Sequence, residues 1–295
     1  MNNLSTFSYT KETALSLLPH RPKISNKGTF GKVCVIGGTV NMSGAAYFAA
    51  KAAYRTGAGL VEILTEENNR IILGTLIPEA IITTYKTGEF HSEKISLALE
   101  RADALVIGCG LGKSDTAKKL LRFVLENKKN ELPVVADADA LNIISEEKEL
   151  IDLIKGAVIT PHFMEMSRLS GAKLSDISKN IAKAADSFAA THNIVCVLKC
   201  HNTAVADGNG KVYINRFGNS GMATGGSGDV LAGIIGGILA QNKRVGLTLF
   251  DAARLGVYLH SRAGDLAAKK LGEYSLMAGD IIRSLPEAIK EHTGC

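Results

Sequence analysis

From Val33 onward the chain repeats one pattern. A short apolar run breaks off at glycines or at a polar cluster, and a stretch of helical length follows. The runs are VCVIGG from Val33, LVEILT from Leu60, and the segments 80–84, 104–108, 133–136, 157–160 and 194–198. Most are apolar throughout rather than alternating, as expected of strands buried on both faces. Between them, segments 43–55, 91–101, 114–127 and 175–192 have helical composition. Strands alternating with helices predict an α/β fold with a mostly parallel central sheet covered on both sides. Segments 203–206 and 211–214, joined by Asp207-Gly208-Asn209-Gly210, predict a hairpin and so an antiparallel edge. The last third is nearly all helix, about 228–241, 247–271 and 276–292, and residues 1–30 form a polar lead with one short helix near 10–18. No linker or low-complexity segment interrupts the chain, so residues 1–295 are expected to form one domain.

In such folds ligands bind beyond the carboxyl ends of the strands, and the polar clusters of this chain follow its strands. The richest is the segment 219–237, NSGMATGGSGDVLAGIIGG. Gly225, Gly226, Ser227 and Gly228 lead into Asp229 and then an apolar run from Val230 to Ala240. A glycine-rich turn opening a buried helix presents unpaired N–H groups and the positive end of the helix dipole, which suits an anion. Asp229 then supplies a base beside that anion site. The plain alternative is a tight turn that packs a helix on a sheet.

Other clusters admit two readings each. The run from Gly108 to Ser114 imitates a phosphate loop, but Ile107 stands where that loop needs glycine, and Lys113 breaks the dinucleotide fingerprint. Gly108, Gly110 and Gly112 still permit close backbone approach to a ligand. Asp137 and Asp139 follow a strand; one carboxylate fits Mg²⁺ shared with phosphates, and Asp139 is expected to cap the helix beginning at Ala140. His162, after Thr160-Pro161, is a substrate-contact candidate or a structural histidine, and Glu165 lies one helical turn on. The sequence around them carries no zinc pattern. Lys199 closes an apolar strand, an odd place for a core lysine and a good one for a phosphate, with Thr203 beyond it.

Composition narrows the partners. Hydrophobic residues make up 46% and charged residues 21%, enough for a sizeable core. The net charge of +5 is spread along the chain, which argues against nucleic acid as a partner. Five cysteines without CxxC spacing predict neither a disulfide framework nor a zinc site, and Cys34, Cys109 and Cys196 are expected to be inert core thiols. No signal-like leader and no membrane-length apolar run occurs, so a cytoplasmic protein with no membrane partner is expected.

Taken together, NKGTFGKVCVIGG, MSGAAYFAAKAAYRTGAGLV, VIGCGLG, VVADADALN, VITPH with the following Glu165, VLKCHNT and GGSGDVLAGIIGG resemble the ADP/ATP-dependent NAD(P)H-hydrate dehydratases of the ribokinase-like superfamily. The resemblance runs from about residue 20 to the C-terminus. It implies a three-layer α/β/α sandwich. It implies repair of hydrated NADH or NADPH: the 6-hydroxyl of the S-epimer takes a phosphoryl group from ADP or ATP, and phosphate then leaves. By matching positions, Ala45 or Ala46, Gly110, His162 and Asp229 would contact the hydrated dinucleotide, with Asp229 as general base. Lys199, Cys200, His201, Asn202 and Thr203, with Gly225, Gly226, Ser227 and Gly228, would hold the adenine nucleotide. Mg²⁺ is the implied cofactor, with Asp137 its candidate ligand. Three positions depart from the family pattern: Phe163 and Met164 replace Pro and Gly, and Cys200 replaces glycine. A homo-oligomer, a tetramer or larger, is expected. The lead is too short for the epimerase domain that some members carry, so a separate epimerase is expected too. The competing functions are a ribokinase-like kinase of a vitamin precursor and a non-catalytic nucleotide-binding protein.

Overall fold

The structure is a computed structural model that describes residues 5–7, 16–89, 91–244 and 246–293. Ten strands form one sheet: β1 (Ser5–Phe7), β2 (Lys32–Ile36), β3 (Leu60–Glu66), β4 (Ile81–Tyr85), β5 (Ala104–Ile107), β6 (Val134–Ala136), β7 (Val158–Ile159), β8 (Val195–Leu198), β9 (Ala204–Ala206) and β10 (Lys211–Ile214). Their order is β1-β10-β9-β8-β7-β6-β5-β2-β3-β4. Every pair from β4 through to β8 is parallel, the β8–β9 and β9–β10 pairs are antiparallel, and β1 lies parallel to β10. The chain runs outward from β2 to β4, then returns to β5 on the other side of β2. That reversal opens a crevice at the carboxyl ends of β2 and β5.

Alternate residues of each strand feed two separate cores. Val33, Val35, Val106 and Val135 pack under α1 (Ser43–Thr56), α9 (Ser227–Ala240), α10 (Leu249–Leu271) and α11 (Ala278–Thr293). Cys34, Ile36, Leu105, Ile107 and Val134 pack under α3 (Ser92–Arg101), α4 (Asp115–Asn127), α5 (Asp139–Glu146) and α8 (Ile181–His192). The three-layer expectation therefore holds. Three shorter helices, α2 (Arg70–Leu76), α6 (Phe163–Ser170) and α7 (Leu174–Lys179), complete the set. Among the described residues, no helix is long and apolar enough to cross a membrane.

The structure corrects several expectations. The helix over 175–192 is two helices, α7 and α8, because Asn180 leaves helical geometry (φ −151°, ψ 83°) and its side chain accepts the Lys183 N–H to cap α8. The short helix α2 and strand β1 carry too few periodic residues to read from sequence. Most of the expected helix near 10–18 lies outside the described residues.

Helix α9 is buried on nearly every side, consistent with its unbroken apolar run. It lies against α1 because both helices present small residues. A Cβ at Gly233 would collide with the Ala49 carbonyl, and one at Gly237 would sit 2.8 Å from the Ala53 oxygen. Gly233→Ala gains roughly 1 kcal/mol of helix propensity, whereas overpacking a fixed backbone costs about 1–3 kcal/mol. The expected outcome of urea unfolding is a net loss of stability. A stabilised variant would show that the two helices can separate freely.

Candidate active site

Five strand ends and one helix start converge at the crevice. Asp137 follows β6 directly, Cys109 follows β5, and Asp229 is the third residue of α9. One donor atom from each of these three residues lies within 4.8 Å of the others. Lys199, just past β8, donates to Asp137 Oδ1 at 2.6 Å and stands 3.9 Å from Glu165 Oε2. A Cβ at Gly228 would lie 3.4 Å from Lys199 Nζ and 3.5 Å from Asp137 Oδ2. Glycine there leaves the ammonium and the carboxylate open to the first turn of α9. The first N–H groups of that helix have no intrahelical acceptor.

Between the two aspartates, Ala138 adopts a left-handed φ of 48° with ψ −116°. A residue with a Cβ in that region costs of order 1–3 kcal/mol. The twist sends Asp137 to Lys199 and Asp139 to the Gly112 N–H, which it accepts at 2.8 Å. Asp139 is thus not the helix cap expected from sequence; Ala138 occupies that position, with no side-chain bond to the helix.

Three carboxylates share one ammonium. Burial, with the nearby Asp137 charge, pushes Asp229 up to about 6, although the Cys109 thiol hydrogen-bonds it and Lys199 attracts it. Burial also raises Glu165 to about 7. Burial works against the Lys199 ammonium, yet Asp137 and Glu165 outweigh it and hold its pKa above the ordinary lysine value. Cys109 is pushed well above the ordinary thiol range by burial and by Asp229 and Asp137, so it is a thiol that touches the site and not merely core filling.

His162 begins α6 and caps it. Its Nδ1 accepts the N–H groups of Met164 (3.1 Å) and Glu165 (3.3 Å), while Glu165 Oε2 accepts the His162 N–H at 2.8 Å. Its Nε2 lies 3.4 Å from Glu165 Oε1, and its ring is half exposed. Burial and the Lys199 charge lower its pKa. Phe163 packs against the core and Met164 is exposed, so these two of the departures from the family pattern fall on different sides of the helix start. The loop after Lys199 closes on itself: Thr203 Oγ1 donates to the Cys200 carbonyl at 3.0 Å. His201 is exposed, Asn202 half buried, and a cavity of about 700 Å³ opens beside them, lined also by Phe163, Lys179, Asn180 and Arg216.

On the other side, Gly110 has φ 61°, and a Cβ there would lie 2.9 Å from Ala45 Cβ. The two expected substrate contacts adjoin one another. Ala46, the alternative, is fully buried, its Cβ 3.0 Å from where a Cβ on Gly38 would lie, at the end of β2. Gly225 has open space where a Cβ would be, and Gly226, at φ 89°, begins α9 with a Cβ-free turn under Phe48. Ser227 points inward instead, its Oγ 3.3 Å from His260 Nε2.

Sequence reasoning missed Cys109 as a neighbour of the base, and it missed His260 altogether. The available signal was a histidine inside the apolar pattern of α10. It also missed Thr160, which follows β7 as Asp137 follows β6 and whose backbone N–H donates to the Ala136 carbonyl. Thr160 Oγ1 is buried and has no hydrogen-bond partner among the described residues.

A family model described as NAD(P)H-hydrate dehydratase matches residues 33–287. The bifunctional NAD(P)H-hydrate repair enzyme of Coxiella burnetii is 40% identical over 269 residues, covering 91% of this chain and 52% of that protein. The chain thus spans about half the length of such bifunctional relatives. The ADP-dependent (S)-NAD(P)H-hydrate dehydratase of Neisseria meningitidis is 37% identical, covering 92% of this chain and 90% of the relative. A Bacillus subtilis ADP/ATP-dependent NAD(P)H-hydrate dehydratase, solved with ATP/Mg²⁺, superimposes with a TM-score of 0.80 at 29% identity over 96% of this chain and 97% of that one.

The half-buried carboxylate of Asp229 makes a prediction about stability. Its folded pKa, about 6, lies above its unfolded value of 3.8. The stability it contributes is therefore complete below pH 4 and is lost as pH rises through 6. Asp229→Asn should unfold at a higher temperature than wild type at pH 8, by a margin worth about 2–3 kcal/mol, and the margin should shrink on acidification toward pH 4. Equal unfolding temperatures at pH 8 would contradict the burial cost.

Proposed function

The chain belongs to the NAD(P)H-hydrate dehydratase family, and from that premise we propose that it is an ADP- or ATP-dependent dehydratase that returns the S-epimer of hydrated NADH or NADPH to NAD(P)H. The observation that carries the reading is the position of Asp229. It is a half-buried carboxylate with a pKa of about 6, set in the first turn of α9 between two groups of residues. On one side lie Gly110 and Ala45, where the hydrated ring would rest. On the other lie Lys199 and Gly228, which would face the phosphates.

In this reading Asp229 accepts the proton of the 6-hydroxyl as that oxygen bonds to the terminal phosphorus of the nucleotide. The bond from that phosphorus to the nucleotide's bridging oxygen breaks. The Gly228 and Asp229 amides and the Lys199 ammonium stabilise the charge on the transferring group, largely by being already in place. Loss of phosphate from the ring carbon, with a ring proton, then restores the reduced nicotinamide. His162, with its half-exposed ring at the crevice, would orient the dinucleotide, and the loop 199–203 with its cavity would hold the nucleoside.

The residues also fit Mg²⁺. Asp137 Oδ1 is held by Lys199, while Oδ2 faces Gly228, and Thr160, with its unpartnered hydroxyl, follows the neighbouring strand β7. One carboxylate plus substrate phosphates is the usual protein share of a Mg²⁺ site. When bound there, the ion would neutralise phosphate charge. The proposal also makes the enzyme a cytoplasmic homo-oligomer. Ile71, Ile72, Leu76 and Ile81, exposed on α2 and the edge strand β4, are the kind of surface a second copy would cover.

The test mixes the protein with hydrated NADPH, Mg²⁺ and either ADP or ATP and follows recovery of reduced-nicotinamide absorbance. Recovery is expected. Its absence with both nucleotides, together with phosphorylation of a thiazole, hydroxymethyl-pyrimidine or pyridoxal alcohol, would make the protein a vitamin-precursor kinase instead. Asp229→Asn should lower turnover by roughly 10²–10⁴-fold while ADP still binds. Turnover should decline below about pH 6 as Asp229 takes up its proton. Undiminished turnover in the variant would remove Asp229 from the base role.

A further inference from the structure

Helix α10 holds the segment that leads into α9 at successive points. Ser261 Oγ accepts from Asn215 Nδ2 at 2.8 Å. Asp265 accepts the Gly218 N–H at 3.2 Å and Asn219 Nδ2 at 3.1 Å. Gly264 leaves room for Met222, whose sulfur would collide with a Cβ at that position. These contacts fix the loop before the turn. The last contact is of a different kind. His260 is buried on α10, between Leu259 and Ser261, and pairs with Ser227, the first residue of α9. An imidazole placed in an apolar layer must recover its desolvation cost through a hydrogen bond, and Ser227 is where this one finds it.

From this geometry we infer that His260 is a positioning residue for the phosphate-binding turn: by holding Ser227 from behind, it sets where the Gly228 and Asp229 amides point. The inference rests on the nucleotide-binding reading of that turn. His260 touches neither nucleotide nor dinucleotide. Ser227 turns its hydroxyl away from the crevice, and its place in the site is to be the pivot on which the anion-binding amides sit. Burial lowers the His260 pKa to about 4, so near neutral pH the imidazole holds Ser227 by hydrogen bonding and places no charge behind the site. Ligand-facing amides are useful only when they need no reorganisation at the moment of reaction, and small displacements of a binding group are costly in rate. A hydrogen bond behind the turn meets that need without occupying the crevice.

The experiment measures binding of ADP with Mg²⁺ by calorimetry, and separately the KM for hydrated NADPH, in wild type, His260→Leu and His260→Asn. His260→Leu removes the partner of Ser227 and should weaken ADP about tenfold, the size of one hydrogen bond's net contribution. The KM for hydrated NADPH, whose contacts at Ala45, Gly110 and His162 touch neither His260 nor Ser227, should stay within about twofold, as expected of uncoupled contacts. His260→Asn, which can still hydrogen-bond, should recover most of the loss. A merely structural histidine would weaken both ligands alike, or would not be rescued by asparagine; either result overturns the inference while leaving the proposed function intact. If wild type fails to bind ADP, the nucleotide reading falls and the inference with it. Should His260→Leu not fold, Ser227→Ala removes the other partner. Ser227→Ala alone should then weaken ADP by a similar factor, and unchanged ADP binding would overturn the pairing.

Discussion

The close contact of α9 with α1 is what the site depends on. Gly233 and Gly237 meet the Ala49 and Ala53 backbone with no side chain between them, and Gly236 meets Val106 of the sheet. A larger residue at any of these positions would lift α9 away from the strands. The start of α9 would then no longer lie beside Asp137 and Lys199, and Asp229 would be carried out of the crevice. Helix position is decided here by what is missing from one face of each helix. The chemistry at the helix start inherits its precision from a seam of small residues two to three turns away.

Placing a carboxylate at that helix start sets two effects against each other. The helix dipole favours Asp229 as an anion, typically by about 0.3–1 kcal/mol. Burial and the Asp137 charge act the other way and win, since its pKa ends at about 6. Lys199 cannot offset both aspartates equally; it lies 2.6 Å from Asp137 and so serves that carboxylate first. The outcome is a division among like groups. Asp137 has a cation as its direct partner, and Asp229 is left close enough to neutrality to exchange a proton under ordinary conditions. A carboxylate raised by burial, beside one paired with an ammonium, gives the site a candidate base next to an ion pair.

Much of this was legible in the chain. The alternation of apolar runs with helical stretches located the parallel strands from β2 to β8, and the glycine-rich stretch before Val230 located the start of α9. The glycines after β2 and β5 lie at the topological switch, so the crevice was legible too. What stayed hidden had no periodic signal. The break at Asn180 depends on one residue capping the helix that follows it. The strained Ala138 takes the cap position expected of Asp139, whose carboxylate goes instead to the Gly112 N–H. Ala45 and Ala46 are equivalent in sequence and are separated only by which face of α1 meets the core. His260 lies some thirty residues from Ser227, a pairing that only the packing of α10 on α9 creates.

The capping box at His162 has a consequence for proton traffic. Because Nδ1 accepts two backbone N–H groups, the neutral ring must carry its hydrogen on Nε2, the atom nearer Glu165. The imidazole therefore offers the crevice a donor and no lone pair. To take a proton it would have to gain one at Nδ1, and the first turn of α6 would lose its acceptor. The tautomer is written into the helix start: His162 can hold an oxygen in place but cannot compete with Asp229 for the proton that oxygen gives up.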